Sequence, residues 1–401
     1  MSPGLVGRYL ALGLALGRHV DGLVDAYYGP AELARRAEAQ GPRPPAALVA
    51  EARRLLADLD SGEPLGPGDG PEGPRRAWLR AQVVGLLTTA RRLAGEPVSY
   101  HDEVEACYGV RPSPVPEEVL AEAQRALDAA VPGTGPLKER YGAWREAHAV
   151  PPERLEVAIG ALVEELRSRT ASLFGLPEGE RVDFELVSGA PWAGFNYYLG
   201  GLRSRVAVNT DLPVLSAGLA HLVAHEAYPG HHTEHCTKEL GLVRRRRQLE
   251  ESIFLVGTPQ CLVSEGLADL GLEVLCGPRP EPAVAEVLRP LGIRYDAEVL
   301  AATAQAAETL SAARANAALA LHAEGADPEA VCSELERWAL LPRPRAEKMV
   351  SFLLDPTWRA YVSCYVEGLP LCRSFVAGRP ERFGRLLSEQ LTPADLRAGS
   401  A

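Results

Sequence analysis

Apolar residues recur at helical spacing along most of the chain, and this pattern predicts a mainly helical protein. In the stretch 152–174, Leu155, Ile159, Leu162 and Leu166 fall on one face, as expected for a helix with one buried side. Abundant Ala and Leu support the same prediction. Helices are predicted over residues 4–59 (two or three of them), 75–94, 116–130, 152–174 and most of the chain from 215 onwards.

Two short segments in the middle of the chain have a different pattern. Residues 182–189 (VDFELVSG) and 205–210 (RVAVNT) alternate in the manner of strands, with a stretch bearing Gly and Tyr between them. We therefore predict a small antiparallel sheet inserted in a helical protein. Residues 61–74 are rich in Gly and Pro, and they predict a surface loop.

Composition narrows the class of protein. The net charge of −11 argues against a nucleic-acid partner, because such proteins need a cationic surface. Nowhere do about 18 apolar residues run without a charge, so no membrane span is expected. The apolar stretch 10–16 lacks the flanks of a secretion signal, and the seven cysteines include no C-x-x-C pair. We therefore expect a reduced, cytoplasmic protein.

The most informative segment is AHLVAHEAYPGHHTEH, residues 220–235, which holds five of the nine histidines. Neutral imidazole is the commonest metal ligand in proteins. In the zinc motif H-E-x-x-H, two histidines four residues apart share one helix face, and the glutamate acts as general base. The clustering and the H-E pair therefore predict a metal site rather than a set of isolated core histidines.

The spacing departs from that zinc motif. His225 and His231 are six residues apart, which is about 600° on a continuous helix, so they would point in different directions. Pro229 and Gly230 lie between them; proline disrupts a helix, and glycine allows a left-handed turn at its end. We predict that the helix ends near Tyr228 and that a tight turn returns His231 to the metal.

Two other ligand arrangements stay open. His221 and His225 are four residues apart and could bind a metal from a regular helix. His232 could also take the place of His231.

The two histidines need an acidic partner, because a catalytic zinc usually has three protein ligands and keeps a fourth position for water. Residues 261–275 (CLVSEGLADLGLEVL) form an apolar predicted helix with Glu265 and Asp269 on one face. Buried carboxylates need a partner such as a metal. We predict Glu265 as the third ligand, and Asp269 as the acceptor of the free ring N–H of a ligating histidine.

These residues resemble those of a large bacterial family catalogued as a domain of unknown function, whose members look like metallopeptidases. The resemblance rests on H-E-A-Y-P-G-H-H at 225–232, the E-G pair at 265–266, YYLGGLRSRVAVNT at 197–210 and the Y-x-x-G at 365–368. It covers residues from about 190 to 371. It implies a helical, zinc-metallopeptidase-like architecture, and the glutamate helix is similar to that of thermolysin-type zinc peptidases.

The predicted activity is that of a zinc-dependent hydrolase that cleaves small peptides. Zinc would lower the pKa of a bound water towards about 7, and Glu226 would take its proton as general base. Tyr365 and Tyr361 are the candidate donors to the oxyanion, with Tyr228 and Tyr198 behind them. Two other functions stay open: a zinc amidase acting on a non-peptide metabolite, and a helical binding protein whose metal is structural or lost.

The same reasoning predicts how the chain is organised. Residues 1–175 form an N-terminal helical region and residues 176–401 a metal-binding catalytic region, packed as one compact unit. The expected partner is a small peptide or amide substrate, with neither nucleic acid nor membrane involved. A homodimer is left open.

Overall fold

Helices make up most of the molecule, as the apolar spacing predicts. In the structure, a computed structural model that describes residues 4–190 and 192–400, 65% of residues are helical and 7% lie in strands. Within these two ranges no helix is long and apolar enough to cross a membrane. The predicted fold class, mainly helical with a small sheet, is confirmed.

The elements follow the chain from end to end. The helices are α1 (Leu5–Leu16), α2 (Ala31–Gln40), α3 (Pro45–Asp60), α4 (Glu72–Leu93), α5 (Tyr100–Tyr108), α6 (Glu117–Ala130), α7 (Leu137–Glu146), α8 (Pro152–Phe174), α9 (Ser216–Glu226), α10 (His231–Lys238), α11 (Pro259–Cys276), α12 (Glu281–Leu288), α13 (Ala297–Ser311), α14 (Ala313–Leu319), α15 (Pro328–Trp338), α16 (Arg343–Leu354), α17 (Val362–Val376), α18 (Pro380–Ser388) and α19 (Pro393–Ser400). The strands are β1 (Val24–Tyr27), β2 (Arg181–Val187), β3 (Gly194–Tyr198), β4 (Arg203–Asn209) and β5 (Ile253–Leu255).

The three-stranded sheet differs in one respect from the prediction. Its order is β2-β4-β3; β3 and β4 are antiparallel, whereas β2 and β4, the two strands predicted from the sequence, run parallel. The reason is that the stretch between them, predicted as a connection, supplies the third strand. A chain that makes one extra pass between two strands brings them back in the same direction.

A second sheet was not predicted at all. Strand β1 lies inside residues 4–59, which the pattern assigns to helices, and it pairs antiparallel with β5. Four residues are too few to distinguish a strand from a helical turn by periodicity. The pairing partner is more than 200 residues away in the chain, so the strand depends on a tertiary contact.

Helix α11 lies at the centre of the fold, and nearly all of its first 14 residues are buried. It packs closely against α17 through glycine on both sides. A Cβ atom at Gly266 would lie 2.3 Å from the carbonyl oxygen of Gly368, and a Cβ at Gly368 would lie 2.8 Å from the carbonyl oxygen of Leu262. Since real Cβ atoms do not approach this closely, both positions require glycine for the two helices to meet.

Candidate metal centre

The turn between α9 and α10 brings the two predicted histidine ligands together. Helix α9 ends at Glu226, two residues before the predicted end, and α10 begins at His231. Gly230 has φ of −74°, so it is not in the left-handed region that we expected. It is needed for space instead: a Cβ atom there would lie 1.9 Å from the carbonyl oxygen of His225.

Three side chains converge on one point from α9, α10 and α11. The Nε2 atoms of His225 and His231 are 3.1 Å apart. The carboxylate of Glu265 lies 3.4 Å from His225 Nε2 through Oε2 and 3.3 Å from His231 Nε2 through Oε1. All three side chains are almost completely buried, with exposed fractions of 12%, 12% and 5%.

The hydrogen bonds around the cluster determine which ring nitrogens carry protons. His225 Nδ1 lies 2.8 Å from Asp269 Oδ1, and a carboxylate only accepts, so this nitrogen is the donor. His231 Nδ1 lies 3.1 Å from Ser264 Oγ, whose own hydrogen bond goes to the carboxylate of Glu234. In a neutral imidazole the second nitrogen is then an acceptor. Both Nε2 atoms therefore present lone pairs towards the cluster.

Such an arrangement of acceptors fits a metal ion. When both imidazoles are neutral, two lone pairs and a carboxylate face one another, and the buried Glu265 Oε2 atom has no hydrogen-bond partner among the described residues. The distances of 3.1–3.4 Å match the edge of about 3.3 Å in a tetrahedron of ligands about 2.05 Å from zinc. The donor set of two nitrogens and one carboxylate oxygen is also one that zinc takes in catalytic sites.

The electrostatics of the site favour positive charge at the same point. Burial raises the pKa of the Glu265 carboxyl, but the two histidines outweigh this effect and lower that pKa to about 2. Burial lowers the pKa of His225, yet the carboxylates of Asp269 and Glu265 raise it above its ordinary value. Without a metal, the site therefore attracts a proton to the place where a cation would bind.

The cluster opens into a cleft of about 730 Å³, part of which is open to solvent. Glu226 lies on its wall, and its carboxylate approaches the ring nitrogens of His225 and His231 to within 4.8 Å. Burial raises the pKa of Glu226, although the two histidines oppose this effect. A carboxylate beside the cluster with a raised pKa has the position and the basicity of a general base.

The two predicted tyrosines also lie on the cleft wall, with different contacts. Tyr361 donates a hydrogen bond of 2.7 Å to Glu265 Oε1, so its hydroxyl orients a predicted ligand. Tyr365 stacks edge-on against it, with ring centroids 5.2 Å apart, and its hydroxyl bonds to no described residue. Tyr365 is therefore the better placed donor to a developing negative charge in the cleft.

The two alternative ligands differ in their contacts. His221, 48% exposed, approaches Asp269 Oδ1 to 3.2 Å, and donor atoms of His221, His225 and Asp269 lie within 4.8 Å of one another, so that arrangement stays a prediction. His232 is fully buried and bonds through Nδ1 to Ser204 and through Nε2 to Glu180, each at 2.8 Å. Both of its nitrogens are thus used, and the replacement of His231 by His232 is not supported.

Glu180 is the centre of a separate buried network. It accepts from Tyr228 at 2.6 Å and from Arg167 at 2.8 Å as well as from His232. Burial raises the pKa of Glu180, but these hydrogen bonds outweigh it and lower the pKa to about 2. The hydroxyl of Tyr228 is therefore not available to the cleft, and that of Tyr198 donates to Glu239.

Sequence reasoning missed several residues of the site. Ser264 and Glu234 fix the ring of His231, and Glu234 is paired in turn with the buried Lys238 at 2.8 Å. The buried His235 lines the cleft with its ring stacked on Tyr198, and burial lowers its pKa to about 3. The position of Ser264, directly before Glu265 on a predicted helix, was the one available signal, and it was not distinctive.

Comparisons with known proteins give information on the fold but not on the chemistry of the site. No protein-family model matches the chain, and no curated protein matches it. Among solved structures, it is similar to the putative lipoprotein from Colwellia psychrerythraea, with 16% sequence identity and a TM-score of 0.55. The match covers 88% of this chain, which spans 66% of the length of that protein. At this identity the likeness concerns the fold alone.

Proposed function

We propose that this protein is a zinc-dependent hydrolase that cleaves small peptides. The observation that carries the proposal is the convergence of three acceptors, on His225, His231 and Glu265, within 3.1–3.4 Å of one another beside the carboxylate of Glu226. Buried acceptors that face each other need a cation between them. A glutamate next to that position supplies the base that metal-assisted hydrolysis needs.

Each residue of the site has a separate role in the proposed reaction. His225, His231 and Glu265 would hold zinc, and a bound zinc would act as a Lewis acid and lower the pKa of water towards about 7. Glu226 would take a proton from the attacking water and deliver it to the leaving amine. Tyr365 would donate a hydrogen bond to the oxyanion.

The surrounding contacts favour a catalytic over a structural metal. A structural zinc is usually closed by four protein ligands. Of the candidate fourth ligands, His232 is bonded to the Ser204–Glu180 pair, and His221 is half exposed and lies 3.2 Å from Asp269. The remaining side of the cluster faces the cleft, where water and a substrate can enter.

The size and lining of the cleft favour a small substrate with apolar groups. The space of about 730 Å³ includes open solvent, and mostly apolar walls with a few polar groups are typical of small-molecule sites. Its walls are largely aromatic, with stacked pairs at Trp192–Phe195 and Phe352–Trp358. A short peptide with an apolar side chain fits this space better than a folded protein does.

The test combines metal content with cleavage of a library of short peptides. After reconstitution with zinc, we expect about one zinc per chain in the wild type and loss of zinc in Glu265→Ala. Glu226→Gln should retain zinc, but its rate of peptide cleavage should be lower by about 100- to 10,000-fold. Glu273→Ala is the matched control, because Glu273 lies on the same helix, partly exposed and paired with Arg373. It should keep both zinc and activity.

Each part of the proposal can fail separately. A wild type that binds no zinc after reconstitution would refute the metal site and leave a helical binding protein as the better account. Zinc binding that depends on Glu265, without cleavage of any peptide, would refute the peptidase assignment while keeping the metal site. Wild-type cleavage by Glu226→Gln would refute the role of the base.

A further inference from the structure

One carboxylate in the cleft has no role in the proposed hydrolysis. Asp25 on β1 lines the same cleft as the metal cluster, and it forms no hydrogen bond or ion pair with any described residue. The pairing of β1 with β5 matches Val24 to Leu255 and Ala26 to Phe254, so Asp25 is an extra residue on its strand. Such a β-bulge redirects a side chain and is common beside active sites.

Asn196, a lining residue of the same cleft, carries a second unpartnered acceptor. The side-chain amide of Asn196 donates through Nδ2 to the carbonyl oxygen of Glu226 at 2.5 Å, which fixes the orientation of the amide. Its Oδ1 atom is buried and has no partner among the described residues. Asn196 is only 6% exposed, so this oxygen requires a donor that is not part of the chain as described.

The charges of the side chains that line the cleft indicate what kind of hydrogen-bond donor these acceptors would bind. The titratable side chains that line it include the carboxylates of Asp25, Glu226 and Glu265, and none of the described lining residues is Lys or Arg. The guanidinium of Arg314 lies 6.0 Å from the ring centroid of Tyr365 and outside the lining. Burial and, to a smaller extent, Glu265 and Glu226 raise the pKa of Asp25 to about 7, against the opposing effect of His231. A lining with carboxylates and without a described Lys or Arg favours a cationic donor beside Asp25.

We propose that Asp25 and the Oδ1 atom of Asn196 bind the free α-ammonium group of the substrate. The enzyme would then act at the unblocked amino termini of short peptides. This inference rests on the proposed function, because it names the substrate class of the same site. An ammonium group supplies three N–H donors and one positive charge. These match the two unpartnered acceptors, the negatively charged carboxylate of Asp25 and the neutral amide oxygen of Asn196.

The test compares a dipeptide, phenylalanyl-alanine, with its N-acetyl derivative and with its C-terminal amide. Acetylation removes the positive charge and should lower kcat/KM of the wild type by about 10- to 100-fold, as expected for the loss of charged hydrogen bonds. Amidation of the other end should change kcat/KM little. A larger effect of amidation than of acetylation would point to Arg314 and the substrate carboxylate, and it would overturn the proposal.

Variants at Asp25 test whether this residue causes the preference for a free amino terminus over an acetylated one. In Asp25→Asn, the ratio of kcat/KM for the free dipeptide to that for the acetylated one should fall by about 10- to 100-fold, and Asp25→Glu should restore part of it. Asp21→Asn is the matched control, because Asp21 is exposed on the same segment; its ratio should equal that of the wild type. Loss of zinc, or an equal loss of activity on both substrates in Asp25→Asn, would assign Asp25 to another role.

Calorimetry separates this inference from the proposed function, because it needs no turnover. Zinc-loaded Glu226→Gln should bind the free dipeptide about 10- to 100-fold more tightly than the acetylated one, and adding Asp25→Asn should remove the difference. Cleavage of both peptides with equal affinity would keep the hydrolase and refute the amino-terminal site. Selective binding without cleavage in the wild type would support the amino-terminal site and refute the hydrolase.

Discussion

The glycine contact between α11 and α17 leads to a prediction that can be worked out from distances. In Gly266→Ala, the added methyl carbon would lie 2.3 Å from the carbonyl oxygen of Gly368. Ordinary contact begins at 3.4 Å, so the two helices must separate by about 1 Å at this point. The contacted oxygen belongs to the backbone, so no side chain can rotate away to relieve the contact.

The separation has a cost in stability and a larger cost in function. Overpacking of this kind destabilises by about 1–3 kcal/mol. For a chain of 401 residues, an unfolding entropy of about 2 cal/mol/K per residue converts this into a fall of about 1–4 °C in Tm. A displacement of about 1 Å at a site can cost about 100-fold in rate, and here it would draw Tyr361 away from Glu265.

The assay is thermal unfolding together with zinc affinity and kcat/KM, with Gly160→Ala as control. Gly160 is exposed on α8, and a Cβ atom there would meet nothing within 4 Å. The same substitution should stabilise at that position by about 0.5–1 kcal/mol, because alanine favours a helix more than glycine does. A Gly266→Ala protein with wild-type Tm and wild-type zinc affinity would show that the helices do not need glycine here.

Three further predictions follow from the side-chain contacts. Asp269→Asn should weaken zinc binding by about 10- to 100-fold, measured by competition with a chelator, because Asp269 orients His225; unchanged affinity would contradict this role. Tyr361→Phe should weaken zinc binding, whereas Tyr365→Phe should lower kcat and leave zinc affinity unchanged; equal effects of the two variants would contradict the distinction. The pKa of Glu180 is lowered to about 2, so its carboxylate stabilises the fold above about pH 4 and loses this contribution as the pH falls towards 2. Since Arg167 is half exposed, we expect Glu180→Gln to cost about 2 kcal/mol at pH 7, with the difference from the wild type shrinking towards pH 3 in urea unfolding; a difference independent of pH would be the contrary result.

Interactions within one or two helical turns were accessible from the sequence. The spacing of Glu265 and Asp269 predicts one shared helix face, and both side chains indeed point to His225. The proline and glycine between the histidines predict a turn, and the structure has one, although Gly230 is needed for close approach rather than for a left-handed conformation. Local rules were sufficient for the shared face and for the turn, because the residues that form each of them lie on neighbouring turns of the chain.

Long-range contacts explain most of what the sequence did not predict. The bulge that directs Asp25 into the cleft exists only because β1 pairs with β5, about 230 residues further along the chain. The hydrogen bond from His231 to Ser264 likewise joins two helices. No periodicity within a short window carries information on either contact, since each partner has an ordinary composition for its own helix or strand.

The two glycine-containing motifs gain a common physical explanation from the fold. In E-G, the glutamate faces the cluster while Gly266 faces Gly368, the last residue of Y-x-x-G. The same contact brings Tyr361 to the carboxylate of Glu265 and places Tyr365, one turn later, on the wall of the cleft. A bulkier residue at either glycine would separate the tyrosines from the glutamate that one of them holds. The two motifs therefore form the two sides of one helix crossing. In each motif the glycine packs at the crossing, and the glutamate or tyrosine reaches the cleft, which explains the spacing between them.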